Sequence, residues 1–159
     1  MSTQLPAIHI VYASTSGNVE AVMEKVAATL QEYHYPVTLH RAEQTKVDVF
    51  NLTDIFILAT STWEHGEINP FWNRLLKEME AVDLSGKNAG FVGLGDKRYE
   101  PVLFCNGMEI LRHEFITRGG GEIFEPLKIN GEPYNLLDTV VKEWAYNFIY
   151  KLKEFYAGK

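Results

Sequence analysis

Apolar residues along this chain follow two alternating rhythms, one suited to buried strands and one to helices with a single buried face. Ala7 to Ala13 (AIHIVYA) is apolar and β-branched, and the turn formers and helix caps Ser14-Thr15-Ser16-Gly17-Asn18 follow at once, which predicts a strand, a loop and a helix. In that helix Val19, Val22, Met23, Val26 and Leu30 recur at the i, i+3, i+4, i+7 spacing that lays one face on a core, and Tyr35-Pro36 closes it. Val37 to Arg41 predicts a second strand. Asp54 to Thr60 (DIFILAT) predicts a third, apolar almost throughout as a strand covered on both faces should be. Phe71, Trp72, Leu75, Leu76 and Met79 again have helical spacing, with Pro70 suited to a first helical turn. Asn88 to Leu94 reads as strand four. The next helix carries Met108, Leu111 and Phe115 and ends in Gly119-Gly120-Gly121, and Glu122 to Ile129 is expected as an unbroken fifth strand. Leu137, Val140, Val141, Trp144, Ala145, Phe148, Ile149 and Leu152 mark a long C-terminal helix.

Five strands alternating with helices require right-handed crossovers, so the expected architecture is α/β, a three-layer, doubly wound, five-stranded parallel sheet. With the strand order 2-1-3-4-5 common in five-stranded members, the loops after strands one, three and four meet in one crevice at the carboxyl edge. Chemistry should be sought there.

Composition narrows the classes. Lys and Arg number 15 against 21 Asp and Glu, a net charge of −6 that repels a phosphate backbone and argues against a general nucleic-acid binder. The one cysteine, Cys105, cannot form an internal disulfide or supply a multi-thiolate zinc site, which suits a reducing, cytoplasmic setting. No basic-then-apolar signal opens the sequence at Met1 to Pro6, and the apolar runs are too short to span a bilayer, so no membrane association is expected. None of the five histidines has metal-ligand spacing, and no metal site is expected.

Ser14 to Asn18 joins a strand to a helix start, where unpaired backbone N–H groups converge with three hydroxyls on one point. No Lys follows the glycine, as a nucleoside triphosphate would need, and no dinucleotide glycine fingerprint is present. A monophosphate held by neutral donors fits better; the competing reading is an ordinary capped turn. Trp63 and Tyr99 lie just past strands three and four, each able to offer a flat face to a ring in the same crevice. Trp72 and Trp144 fall on helical apolar stripes and are expected in the core.

Tyr12-Ala13-Ser14-Thr15-Ser16-Gly17-Asn18-Val19-Glu20 resembles the FMN-phosphate loop of flavodoxins, and Thr60-Ser61-Thr62-Trp63 and Gly93-Leu94-Gly95-Asp96 to Tyr99 stand where that family places its two flavin loops. The resemblance covers essentially the whole chain, implying one flavodoxin-like FMN-binding domain over residues 1–159, of the short-chain type because Glu122 to Ile129 lacks the insertion that splits the last strand of long-chain members. It implies FMN contacts at Ser14, Thr15, Ser16, Gly17, Asn18 and Val19; at Thr60, Ser61, Thr62, Trp63, Glu64, His65 and Gly66; and at Leu94, Gly95, Asp96, Tyr99, Phe104 and Cys105. Trp63 and Tyr99 would stack on the ring. Val19 stands where the family usually has a hydroxyl, and the loop Tyr99 to Cys105 is longer than in short relatives.

The resemblance implies a low-potential one-electron carrier and not an enzyme: a cytoplasmic monomer that meets a flavodoxin/ferredoxin reductase and acceptor redox enzymes in transient, electrostatic encounters. Glu64, Glu67, Asp96 and Glu100 on the ring loops would oppose added negative charge on the flavin, with Lys97 and Arg98 partly cancelling them. It also implies a peptide beside Trp63, here Glu64-His65, that turns its carbonyl toward the ring on one-electron reduction. His65 accepts the left-handed backbone this needs less readily than Gly, so moderate stabilisation of that state is expected. Two other readings stay open: an FMN oxidoreductase of the quinone or azo reductase type, and a specialised flavodoxin-like activator of a metalloenzyme. A response-regulator receiver would need an Asp at the end of strand three, where this chain has Ala59-Thr60-Ser61.

Overall fold

A computed structural model describes residues 4–98 and 101–158. In chain order the elements are β1 (Ile8–Tyr12), α1 (Asn18–Glu32), β2 (Val37–Arg41), β3 (Ile55–Ser61), α2 (Asn73–Met79), β4 (Asn88–Gly95), α3 (Asn106–Thr117), β5 (Gly121–Glu122), β6 (Leu127–Asn130) and α4 (Lys142–Ala157). All strand pairings between these elements are parallel, and the sheet runs β2-β1-β3-β4-β5, with β6 also on β4, which is the expected doubly wound order. No helix among the described residues is long and apolar enough to cross a membrane.

The apolar runs of the central strands follow from this layering. Along β1 and β3, Ile8, Ile10, Ile55 and Ile57 face the core built with α1 and α4, while Val11, Phe56 and Leu58 face the one built with α2 and α3. Both side-chain sets are removed from water, so neither can be polar. Trp72 and Trp144 lie in these two cores, and their indole N–H groups donate to the carbonyls of Ala59 (3.0 Å) and Glu125 (2.9 Å). Helix α1 ends in a Schellman arrangement: Tyr35 N donates to Leu30 O and His34 N to Gln31 O, with His34 left-handed at φ 71°.

Three expectations need correction. The fifth strand is not continuous. Between Glu122 and Leu127 the chain advances five residues while its partner β4 advances three, from Ala89 to Val92, so two extra residues bulge out. Pro126, which has no N–H to give the ladder, lies in the gap, and the alternation of apolar residues hid the break. Phe71 does not join the buried helical face; Pro70–Trp72 is a 3₁₀ turn, whose tighter winding leaves Phe71 exposed while Trp72 is buried. Val140 is likewise exposed, because a wide π turn over Leu137–Val141 precedes α4 and displaces it from the stripe.

Between β1 and the edge strand β2 the imidazoles of His9 and His40 stack with centroids 5.0 Å apart, and Nδ1 of the first lies 2.7 Å from Nε2 of the second. Partial burial lowers the pKa of both below the usual 6.5, and His9 lowers that of His40 further. The unfolded chain therefore takes up protons first as pH falls. The stabilising contribution is complete above pH ~6.5 and is lost progressively below it, down through the folded-state values. His40→Gln should flatten the fall in urea midpoint between pH 7.5 and pH 5; a fall as steep as that of the unaltered protein would exclude the pair as its source.

Candidate functional site

The carboxyl ends of β1, β3 and β4 open on two adjoining hollows that share Thr62, Gly95 and Asp96 and so form one crevice. The first, of about 320 Å³, is lined by Ser14, Thr15, Ser16, Asn18 and Val19 from the β1–α1 loop, Ser61 and Thr62 from β3 and beyond, Leu94, Gly95, Asp96 and Arg98 from the β4 side, and Gly131 and Glu132. The second, of about 540 Å³, is lined by Thr62, Trp63, Glu64, His65, Gly95, Asp96, Leu103, Phe104 and Cys105.

The β1–α1 loop is shaped from within. Ser14 is buried, and its Oγ accepts from the amides of Gly17 (3.1 Å) and Glu20 (3.3 Å), which curls the chain into α1 with Gly17 as a left-handed N-cap at φ 90°. Among the described residues, no protein acceptor takes the amides of Thr15, Ser16, Asn18 or Val19. These four donors, with the exposed hydroxyls of Thr15 and Ser16, form a cup for an anion at a helix start. Glu20, in the first turn of α1, is engaged elsewhere: it accepts from the Tyr12 hydroxyl at 2.7 Å and is paired with Arg41. Burial and the adjacent Glu20 push the Tyr12 phenol up to about 12, so it stays a donor and braces the cup from below.

The ring-side loops are braced as tightly. Asn69, fully buried, donates to Ser61 Oγ (3.1 Å) and accepts from Phe71 N (3.0 Å), while Thr62 Oγ1 accepts from Gly107 N at 2.8 Å. Beyond Thr62 the chain reverses through a short hairpin in which Trp63 N donates to Glu67 O (2.7 Å) and Thr62 bridges Ile68. The two residues at its tip, His65 (φ 60°) and Gly66 (φ 73°), are both left-handed, as a type I′ turn requires. His65 thus already adopts the backbone that the sequence comparison marked as unfavourable for it. Trp63 is 43% exposed and stands between the 540 Å³ hollow and a shallow outer recess it shares with Glu64, His65 and Glu67. It is placed as a wall.

Opposite it, the loop after β4 is fastened by Gly131 N to Gly95 O (2.8 Å) and Lys97 N to Asn130 Oδ1 (2.9 Å), with the Lys97 ammonium 4.8 Å over the Phe104 ring. Asp96 is chelated by the Arg98 side chain (2.6 Å) and amide (3.0 Å), hydrogen bonds that hold its carboxyl below the usual range. Glu64 and Glu67 are exposed and form no ion pair among the described residues. Cys105 is buried against the hollow, left-handed at φ 58°, and burial pushes its thiol up to about 11, which keeps it neutral and unreactive at physiological pH.

The crevice therefore gathers most of the site read from sequence. Thr60 is an exception: strand alternation puts it on the Phe56 and Leu58 face, fully buried, its hydroxyl spent on Ser61 O (3.0 Å). Gly17 and Gly66 shape the walls without lining a hollow. Tyr99 and Glu100 lie outside the described residues. Leu103, Gly131, Glu132 and the bracing pair Asn69 and Asn106 were not anticipated; the two Asn residues look in sequence like ordinary helix starters, ahead of Pro70 and Gly107. Among the described residues no three His, Cys, Asp or Glu side chains gather as metal ligands.

Comparison with known proteins agrees with this geometry. The family model described as "Flavodoxin" matches residues 10–144. A relative from Bacillus subtilis, a probable flavodoxin 2, is 34% identical over 129 residues, covering 79% of this chain and 83% of its own. Among solved structures, oxidised flavodoxin 2 from Bacillus cereus superposes with a TM-score of 0.85 at 30% identity, covering 91% of this chain and 99% of that one. A more distant flavodoxin from Fusobacterium nucleatum, solved bound to flavin mononucleotide, shares the fold at a TM-score of 0.81 and 22% identity, covering 92% and 99%.

Proposed function

This chain belongs to the flavodoxin family, and from that premise we propose that residues 1–159 form one domain whose crevice holds FMN non-covalently and carries electrons one at a time, without catalysing a reaction of its own. The observation that carries this reading is the division of the crevice. A cup of four unengaged amides and neutral hydroxyls, suited to a phosphate monoester, opens directly into a larger hollow walled by Trp63, suited to a flat ring. Bound FMN supplies the redox chemistry. Ser14 curls the loop so that Thr15, Ser16, Asn18 and Val19 face the phosphate. Thr62, Gly95 and Asp96 line the passage between the hollows, and Trp63, Glu64, His65, Phe104 and Cys105 surround the ring, with Tyr99 assigned to its other face by the family resemblance.

Purified protein should be yellow, or become so on adding FMN, with micromolar or tighter binding. Protein that stays colourless and leaves added FMN fluorescence unchanged would sink the reading. With NADPH and a quinone but no added reductase, turnover should be negligible; rapid turnover would favour a quinone-reductase function instead. The same proposal has the carrier work in the cytoplasm between a reductase and acceptor enzymes, meeting each in a salt-sensitive encounter.

The carboxylates of Glu64 and Glu67 beside the ring hollow, unpaired among the described residues, oppose any negative charge gained by the ring. Glu64→Gln or Glu67→Gln should raise the second one-electron potential by some tens of millivolts at low salt, less at high salt. A potential unchanged in both variants at low ionic strength would remove the charge argument.

A further inference from the structure

We propose that Asn106 is a positioning residue for the ring-side wall, holding the Trp63–Glu67 hairpin in its left-handed form from the first turn of α3; the inference rests on the FMN reading of the crevice. The hairpin tip is intrinsically unfavourable. His65 sits at φ 60°, in the left-handed region that a residue with a Cβ rarely adopts. The bonds closing the tip from within are long: Gly66 N to Trp63 O at 3.2 Å and Glu67 N to Glu64 O at 3.2 Å. The short bond within the hairpin, Trp63 N to Glu67 O at 2.7 Å, ties its base, and the short bond at the tip comes from outside. Asn106 Nδ2 donates to Gly66 O at 2.7 Å, across 40 residues of sequence. Gly66 is buried under this contact, and a Cβ at that position would come within 2.9 Å of Leu103 Cδ1 and 3.2 Å of Asn106 Nδ2. The tip is therefore seated against α3 and the segment before it, with Asn106 making a polar attachment at Gly66.

Asn106 is not needed for the helix it begins. The N-cap of α3 is Cys105 and accepts no side-chain bond, and the backbone amide of Asn106 donates to Leu103 O at 2.9 Å whatever side chain it carries. What the side chain holds is the hairpin that presents Trp63, Glu64 and His65 to the 540 Å³ hollow. Without it, the tip loses its attachment at Gly66, and the wall is held less firmly. The phosphate cup, on the β1–α1 loop, is built without Asn106.

The test compares the unaltered protein with Asn106→Leu, close in volume but without a donor, and Asn106→His, whose ring N–H can replace it. In the apoprotein, hydrogen exchange by NMR should show protection of the Gly66 and Glu67 amides falling about tenfold in Asn106→Leu, with β4 amides unchanged, and recovering in Asn106→His. FMN and riboflavin should both bind Asn106→Leu about tenfold more weakly, since only the ring side is altered, and Asn106→His should regain most of this. Equal protection in all three proteins, or lost protection with unchanged affinity for both ligands, would overturn the role of Asn106. Failure of the unaltered protein to bind FMN would overturn the cofactor reading, and with it the ligand-positioning role, while a local exchange effect would still establish the strut.

Discussion

Thr15→Asp is expected to weaken FMN binding about a thousandfold and to leave riboflavin binding nearly unchanged. Thr15 is exposed on the β1–α1 loop, where its amide and hydroxyl line the polar hollow, so the substitution removes no buried contact and should not disturb folding. It does set a carboxylate among donors arranged for an anion. Like unit charges ~4 Å apart repel by about 4 kcal/mol at an effective dielectric near 20, and each 1.4 kcal/mol is a factor of ten in affinity. Arg98 also borders this hollow, but its charge is already shared with Asp96 and offsets the new carboxylate only in part. Riboflavin lacks the ester and serves as the internal control. Titration of both ligands by fluorescence decides the matter: equal losses would mean that the loop was deformed, and no loss for FMN would mean that its phosphate lies elsewhere.

Gly107→Ala should destabilise the fold by about 2 kcal/mol and weaken FMN binding as a consequence. A Cβ at position 107 would stand 2.8 Å from the carbonyl oxygen of Ser61, 3.1 Å from Thr62 Oγ1 and 3.2 Å from Ile68 Cα. Two of these three are backbone atoms of the two segments that flank the ring-side hairpin, and they cannot swing aside as a flexible side chain would. Inserting one carbon into such a contact costs roughly 1 to 3 kcal/mol. Here the cost also falls on the 2.8 Å bond from Gly107 N to Thr62 Oγ1, which must lengthen as α3 moves away from β3. Urea unfolding of the apoprotein measures the first effect and FMN titration the second. An unshifted urea midpoint would show that α3 can slide outward freely, which would contradict the tight seating described for this corner.

Much of this architecture is legible from local pattern, and the reasons differ by element. The strand Val37 to Arg41 has its predicted bounds because Pro36 fixes its start and a 3₁₀ turn over Ala42–Gln44 ends it. The central strands declare themselves by being apolar on both faces. The phosphate cup is legible because strand, hydroxyl cluster and helix start are contiguous in the chain. What was not legible depends on partners distant in sequence. The bulge between β5 and β6 is defined only by register against β4, and Ile123 and Phe124 remain half-buried beside the core, so the apolar pattern runs through the break without a mark. Asn69 and Asn106 work through bonds to Ser61 and Gly66, contacts that exist only once the hairpin and α3 are packed together. Thr60 was grouped with its neighbours by adjacency, whereas the pleat assigns it to the opposite side.

The interrupted outer strand also affects how the molecule behaves at high concentration. A parallel sheet ends in a row of unsatisfied amides and carbonyls that invites another chain to add itself. On this margin the row is cut into pieces of two and four residues, with Pro126 between them and Lys128 on the second. No incoming segment finds a straight template long enough to repay its ordering. The flank is thereby guarded against fibrillar self-association by its own irregularity, at the cost of a few ladder bonds.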